Sequence, residues 1–103
     1  MSKPRAFTAE EVRDKFLHQV RGLAKYWAEL PGKTPQERTD GMAFSMLNIF
    51  DGSTMSLPGL DISLAPHPED RPYLKAQGEN WFKKGQVIND CMLHEMYFQR
   101  KAE

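Results

Sequence analysis

The sequence TPQERTDGMAFSMLNIFDG, Thr34–Gly52, carries the clearest helix signals in the chain. Thr34 followed by Glu37 matches a capping box with proline in the first turn, and Gly52 is typical of a left-handed helix end. The apolar side chains between these ends cover about 220° of the helical circumference, wider than the stripe of a surface helix. We therefore expect a central helix over 35–51 with neighbours on several sides.

The remaining arc of this helix contains small residues. Gly41 and Ser45 lie about one turn apart and leave room for a close approach. Since Gly41 lowers helix propensity by about 1 kcal/mol relative to alanine, we expect tight packing, a ligand or a partner chain there. Asp40 lies on the apolar side near the first turns, where the helix dipole favours a negative charge, and the pattern favours a solvated acid over a buried, paired one.

Composition limits the function classes. The 103 residues fit one domain over 1–103, with 1–7 as a loose lead-in and 101–103 as a frayed tail. Fourteen basic and fourteen acidic residues cancel, which disfavours a bulk electrostatic binder of nucleic acid or membranes. The single cysteine excludes an intramolecular disulfide, and no apolar run predicts a signal sequence or a membrane span. We expect a cytoplasmic protein.

Three further segments have helical patterns. A capping box at Thr8 and an apolar stripe predict a helix over 8–30, joined to the central helix as an antiparallel hairpin. A minor helix is predicted near 70–77 and a last helix over 89–100. The predicted fold is mainly α, a compact three-to-four-helix domain with an irregular Pro-rich strap and at most a short β segment.

The strap over 53–85 contains one extended pattern. Leu60, Ile62 and Leu64 alternate with polar residues, as in a half-buried strand. No second strand is obvious from the sequence. The segment is therefore expected to be an extended strap or an edge that pairs with another chain.

Several motifs, taken in order, resemble a small family of uncharacterised bacterial and phage-borne proteins. They are ERTDGMAFSMLNIFDG (Glu37–Gly52), LPGLDI (Leu57–Ile62), APHPED (Ala65–Asp70), GENW (Gly78–Trp81) and LHE (Leu93–Glu95). The similarity covers about residues 10–98. It implies a bacterial or phage setting and carries over no catalytic or binding role.

One polar constellation has ligand types suited to a divalent metal. His67 and Asp70 share a rigid loop, and Cys91 and His94, followed by Glu95, would lie one turn apart on the last helix. Their spacing matches no standard metal motif, so a structural role is favoured and no cofactor is expected. A small metal-dependent hydrolase using His67, Asp70 and His94 is the alternative function. Cys91 as a nucleophile with His94 as base is weaker still, since no feature orients the histidine.

Basic residues suggest a second alternative. His18, Arg21 and Lys25 form a basic face on the first helix that could contact phosphates, although such a face on a neutral protein is usually just solvated. Trp81 and Phe82 stand beside two lysines and have the composition of a base-stacking site, but core anchoring is favoured for them. Weak nucleic-acid binding is therefore the third hypothesis.

The apolar excess favours protein binding. The wide arc of the central helix and its small groove at Gly41 and Ser45 need cover, and Cys91 with Phe98 forms an extra patch on the last helix. Exposed apolar patches of this kind usually mark a partner surface, and a homodimer covers one patch with its own copy. The alternative is a monomer in which the 53–85 strap folds back and covers these surfaces. We expect a small non-enzymatic protein-binding or regulatory module. A protein partner or a second copy is favoured, nucleic acid is disfavoured and no membrane partner is expected.

Overall fold

The computed structural model describes residues 3–99 of the chain. The described chain is mainly α, as predicted, and its helices are α1 (Ala9–Glu29), α2 (Pro35–Phe50), α3 (Asp70–Ala76) and α4 (Leu93–Met96). Its contacts group into two units: residues 3–60 with 92–99 form unit 1, and Asp61–Cys91 forms unit 2. The assignment of 1–103 to one domain stays a prediction.

Both long helices begin at the predicted capping boxes. The amide of Glu11 donates to the Thr8 hydroxyl at 3.2 Å and the amide of Thr8 donates to the Glu11 carboxylate at 2.9 Å. Thr34 and Glu37 repeat the arrangement at the start of α2, at 3.1 and 2.9 Å. Each reciprocal pair satisfies two amides that the first turn leaves without helical partners.

The lead-in is tied down near its end. Arg5 donates two hydrogen bonds to the Glu11 carboxylate, at 2.8 and 2.9 Å, so the predicted loose segment is anchored at residue 5. The Arg5 guanidinium, followed by the Thr8 amide, lowers the pKa of Glu11 to about 2. The predicted frayed tail over 101–103 lies outside the described residues.

The helices α1 and α2 form the predicted antiparallel hairpin. Trp27, near the end of α1, packs on Gly41 in the first half of α2, and its indole N–H donates to the Ser45 hydroxyl at 3.0 Å. Phe16 earlier in α1 meets Phe50 at the end of α2, with ring centroids 5.8 Å apart. The close approach predicted at Gly41 and Ser45 is therefore made by the chain's own Trp27.

The apolar arc of α2 is incompletely covered. Within residues 3–99, Ile49 and Leu57 are the buried large apolar side chains, and the positions from 42 to 48 of α2 are half-buried. As predicted, α2 is central to unit 1, since it packs on both α1 and α4. The two neighbours leave part of its apolar surface accessible to solvent.

The last helix is shorter than predicted. The sequence pattern placed it over 89–100, but α4 begins at Leu93. The reason is the Asp51 carboxylate, which binds the backbone amides of Leu93 and His94 and so fixes the first turn there. Cys91 precedes the helix, so the prediction that it lies one helical turn from His94 is wrong.

Unit 2 contains a short antiparallel β pairing. Ser63 and Val87 form an isolated bridge, flanked by hydrogen bonds from the Leu64 amide to the Gln86 carbonyl and from the Ile88 amide to the Ile62 carbonyl. The extended segment therefore has a pairing segment within its own chain, which the sequence analysis did not identify. Pairing of its edge with another chain stays a prediction. The sequence analysis missed the pairing because the partner of Ser63 is the single bridge residue Val87, and one residue shows no alternation.

Two glycines within long helices provide a matched test of the hairpin. A Cβ at Gly41 would lie 2.4–2.6 Å from the Trp27 ring, which its hydrogen bond to Ser45 holds in place, whereas a Cβ at Gly22 meets no atom within 4 Å. We expect Gly41→Ala to lower the free energy of unfolding by about 1–2 kcal/mol, because overpacking exceeds the gain in helix propensity. Gly22→Ala should raise it by up to about 1 kcal/mol. Urea denaturation of both variants measures this, and equal effects would contradict the packing described here.

Candidate functional site

The carboxylate of Asp51 links the end of α2 to the start of α4. One oxygen, Oδ1, accepts the Leu93 amide at 3.0 Å, and Oδ2 accepts the His94 amide at 2.8 Å. The Nδ1 atom of His94 lies 2.5 Å from Oδ2. The Asp51 side chain is 0% exposed and that of His94 is 18% exposed. Because an ionised carboxylate only accepts hydrogen bonds, Nδ1 carries the proton in this pair.

The surroundings of Asp51 favour its charged form. Burial acts to raise the pKa of the carboxyl, but the hydrogen bonds from the amide and ring of His94 and the amide of Leu93 outweigh it and hold the pKa below its usual value. The negative charge also lies at the N-terminal end of α4, where free amides attract it. Asp51 therefore acts as an N-terminal cap for α4 from a distant position in the sequence.

The Asp51 cap positions a cluster of aromatic rings. The His94 ring meets Phe44 of α2 edge-on, with centroids 5.5 Å apart. Phe98, which follows α4, stacks on the same Phe44 at 5.6 Å, and Tyr97 meets Phe98 edge-on at 4.8 Å. Aromatic pairs in these geometries contribute about 0.5–1.5 kcal/mol each beyond their buried area.

These rings border a cavity of about 290 Å³ in unit 1, which we call the aromatic pocket. Its inner wall is apolar and its rim carries charges of both signs. It is lined by Trp27, Gly41, Phe44 and Phe98 together with Lys33, Glu37 and Asp40. Phe98 is 54% exposed, so much of its ring faces solvent at the edge of the pocket.

Asp40 is less exposed than the sequence predicts, and its carboxylate has hydrogen-bond partners. It is half-buried, and its Oδ1 atom accepts the Tyr97 hydroxyl at 2.8 Å and the Gln36 amide at 3.1 Å. The Tyr97 bond joins the first half of α2 to the turn after α4. The acid on the apolar side of α2 thus has a partner from a distant part of the sequence, which no local pattern reveals.

Of the partner-binding residues predicted from the sequence, three lie in unit 1. Gly41 and Phe98 both line the aromatic pocket, whereas the Ser45 hydroxyl is bound to Trp27. Cys91 is exposed and belongs to unit 2. The predicted patch of Cys91 and Phe98 on one helix is therefore wrong, because Cys91 precedes α4 and Phe98 follows it.

A second groove in unit 1 is uncharged. Its volume is about 460 Å³, and it runs between α1, α2 and the loop at 53–54. Gln19 on its wall donates a hydrogen bond to Ser56, and Ser45 is already bound to Trp27. The groove lacks ionisable lining groups, so it provides no acid, base or strong anchor for a ligand.

The predicted metal ligands have local structural roles. The His67 amide donates to the Asp70 carboxylate at 3.0 Å, and the His67 Nδ1 atom accepts the Glu69 amide at 3.2 Å. These bonds build the turn before α3, while His94 is bound to Asp51. Across residues 3–99 no group of three or more histidine, cysteine, aspartate or glutamate side chains is arranged to hold a metal ion. The alternative hydrolase centre of His67, Asp70 and His94 thus has no geometric support in this part of the chain.

The predicted nucleic-acid residues His18, Arg21 and Lys25 are all exposed on α1. Exposure is required for a phosphate contact but is equally typical of a solvated face. Their proposed role stays a prediction.

Unit 2 contains a pocket that combines aromatic and basic side chains, which we call the basic pocket. It encloses about 310 Å³ and is lined by the turn at 66–68 with Arg71, Trp81, Phe82, Lys83 and Lys84. Trp81 is 40% exposed and Phe82 is 67% exposed, so the expectation that they anchor the core is wrong. The short 78–85 segment presents both rings at the surface because it has no helix or strand of its own.

Sequence reasoning missed the importance of Asp51. An aspartate at the C-terminal end of a helix opposes the helix dipole, and such a conflict is a signal that a residue serves another element. The structure shows the complementary feature, since the first turn of α4 has no side-chain cap of its own. The sequence does not reveal this missing cap, because its helical pattern begins earlier, near residue 89.

Comparison with known proteins finds no matching family model, no similar curated protein and no similar solved structure. The resemblance to bacterial and phage proteins therefore stays a prediction. Within residues 3–99, no helix has both the length and the apolar character needed to cross a bilayer.

The Asp51 cap predicts a pH-dependent contribution to stability. We expect Asp51→Asn to lower the free energy of unfolding near pH 7 by about 1–3 kcal/mol, because the buried amides and the His94 ring lose a charged acceptor. The folded pKa of Asp51 lies below the unfolded value of 3.8. The contribution is therefore complete above that value and is lost as the pH falls through the folded pKa.

The measurement is urea denaturation of the wild type and Asp51→Asn between neutral pH and about pH 2. The difference between the two proteins should shrink as the solution is acidified below the unfolded pKa. Asp14→Asn, at an exposed position of α1, is the control and should change stability little at any pH. A difference of constant size across this range would contradict the ionised cap.

Proposed function

We propose that the chain is a non-enzymatic protein-binding module of a bacterial or phage cytoplasm, and that it docks through the aromatic pocket of unit 1. The observation that carries the proposal is the position of Phe98. Its ring is 54% exposed at the edge of an apolar cavity, although it stacks on Phe44 at 5.6 Å. A large apolar ring held in place at the surface is a typical anchor of a protein interface.

The surroundings of the pocket support a protein as the ligand. Met96 and Tyr97 beside it are 46% and 38% exposed, and Tyr26, which meets the pocket residue Trp27 edge-on at 5.4 Å, is 56% exposed. Methionine, tyrosine and tryptophan are enriched in interface cores. A cavity of about 290 Å³ is at the lower limit for small-molecule sites and is suited to inserted side chains.

The occupant that the rim favours is a second copy of the chain. Lys33 lies on the same rim as the carboxylates of Glu37 and Asp40. In a two-fold pairing the same patch meets itself, and an axis that passes between Lys33 and the two acids places Lys33 of each copy opposite the acidic part of the other rim. The Thr34 amide donates to the Glu37 carboxylate and lowers its pKa, which favours the charged form of this acid. The apolar wall and the mixed rim are thus self-complementary.

The test is the association state of a variant at the pocket edge. We expect the wild type to form dimers in sedimentation equilibrium and Phe98→Asp to be monomeric, because a charge replaces the exposed apolar anchor. Lys33→Glu should weaken association about two- to tenfold, because it removes an exposed charge pair at the rim of the interface. Added salt should weaken the wild-type dimer, because it screens the same charges. Tyr73→Asp, at a 66% exposed aromatic position of unit 2, is the matched control and should leave the dimer intact.

Circular dichroism confirms that each variant is folded before association is compared. A wild type that stays monomeric up to millimolar concentration would contradict the proposal, and so would a dimer that Phe98→Asp leaves unchanged. A dimer disrupted equally by Tyr73→Asp would place the interface elsewhere and would also contradict it.

A further inference from the structure

We propose that the basic pocket of unit 2 binds single-stranded nucleic acid, with a base stacked on its exposed rings and the backbone phosphates paired with its cations. The inference concerns residues of Asp61–Cys91 and does not depend on the proposed dimer. It also places nucleic-acid binding at a different site from His18, Arg21 and Lys25 of α1, the weak candidates of the sequence analysis.

The first argument is the exposure of two adjacent aromatic rings. Phe82 is 67% exposed and Trp81 is 40% exposed, and both line one cavity of about 310 Å³. Here both rings border open space in the same pocket. Every base has a planar face, so such rings bind bases without a strict sequence preference.

The second argument is the charge of the lining. Arg71, Lys83 and Lys84 contribute three cations, and no lining residue is acidic. Across residues 3–99 no carboxylate lies within ion-pair distance of any of these cations. The chain as a whole is neutral, so this local excess of positive charge distinguishes the pocket. A patch of cations without carboxylate partners is suited to phosphate groups.

The third argument is the contact between a cation and an aromatic ring of the pocket. The Arg71 guanidinium carbon lies 5.0 Å from the centre of the Trp81 ring, a cation–π distance. This contact holds a phosphate-binding group directly beside a stacking surface. Lys83 and Lys84 follow Phe82 in the sequence and place two further cations next to the second ring. A nucleotide presents the two matching groups, a planar base and a phosphate.

Ligands that carry only negative charge fit this combination less well. Inorganic phosphate or an acidic peptide would use the cations but has no group for the rings. A tyrosine-phosphorylated peptide and an anionic membrane surface would each use both features, so they enter the experiment as competing ligands. Free mononucleotide shares the chemistry of a strand but engages the cations with one phosphate only, and we expect it to bind much more weakly.

The experiment measures fluorescence anisotropy of labelled oligo(dT) and oligo(U) with the full chain at about 50 mM salt. We expect a dissociation constant in the range of about 1–100 µM, with log K falling against log [salt] with a slope of about −2 for three cations. Thymidine monophosphate should compete poorly. Phe82→Ala should weaken binding at least about fivefold, since one stacking ring is lost.

Variants of the lysines measure the electrostatic contribution to oligonucleotide binding separately from stacking. The double variant Lys83→Glu, Lys84→Glu should abolish detectable binding of the oligonucleotide. The milder Lys83→Gln, Lys84→Gln variant should weaken binding and reduce the salt slope to about −0.7, the value for one remaining cation. Both lysines are exposed, so neither change should unfold the chain.

The controls lie in the same unit but outside the pocket. Tyr73→Ala removes an aromatic side chain of similar exposure, 66%, and Lys75→Glu reverses an exposed charge on α3. Neither should change the affinity more than about twofold. Arg21→Glu with Lys25→Glu tests the alternative basic face on α1 and should also have little effect.

Three results would overturn the proposal. The first is the absence of oligonucleotide binding at low salt by a folded protein. The second is binding that Phe82→Ala and the lysine variants leave unchanged, or that the α1 variants abolish instead. The third is a preference for a tyrosine-phosphorylated peptide or for vesicles containing phosphatidylserine over oligo(dT), which would assign the pocket to another class of partner.

Discussion

The carboxylate of Asp51 closes unit 1 by holding the start of α4 against the end of α2. It accepts two backbone amides and the His94 ring while its side chain is fully shielded from solvent. A buried carboxylate is stable only when such bonds replace its hydration. His94 then meets Phe44, and Phe98 stacks on the same ring. The aromatic pocket therefore depends on Asp51, although Asp51 is not one of the residues that line the pocket.

Elements whose signals are local could be predicted from the sequence. Thr8 and Thr34 each carry their capping partner three residues later, so α1 and α2 were located to within about a residue. The antiparallel hairpin followed from the short connection between them. The start of α4 was misplaced because its cap comes from Asp51, 42 residues earlier. Helical periodicity extends back to residue 89 and contains no information about that contact.

In the candidate sites, too, the sequence predicts features that depend on neighbouring residues and misses contacts between residues far apart in the chain. Gly41 was recognised as a site of close approach, but the sequence did not identify Trp27 as the group that fills it. Trp81 and Phe82 were expected inside because large aromatic residues are usually buried, yet their short loop leaves them at the surface. The two pockets differ mainly in charge: the one in unit 1 carries both signs on its rim, and the one in unit 2 carries cations alone. This difference is the basis for assigning them different partners.

The brevity of α4 has a consequence for the order of folding. A helix of four residues does not persist by itself in water, because nucleation costs more than so few hydrogen bonds return. The α1–α2 hairpin has near-neighbour contacts and can form early, whereas α4 requires closure of the long chain segment that follows Asp51. Phe98 reaches its place on Phe44 only after that late step. A chain in which α4 has not yet docked thus lacks the aromatic pocket, and the proposed recognition through it would require the fully folded protein.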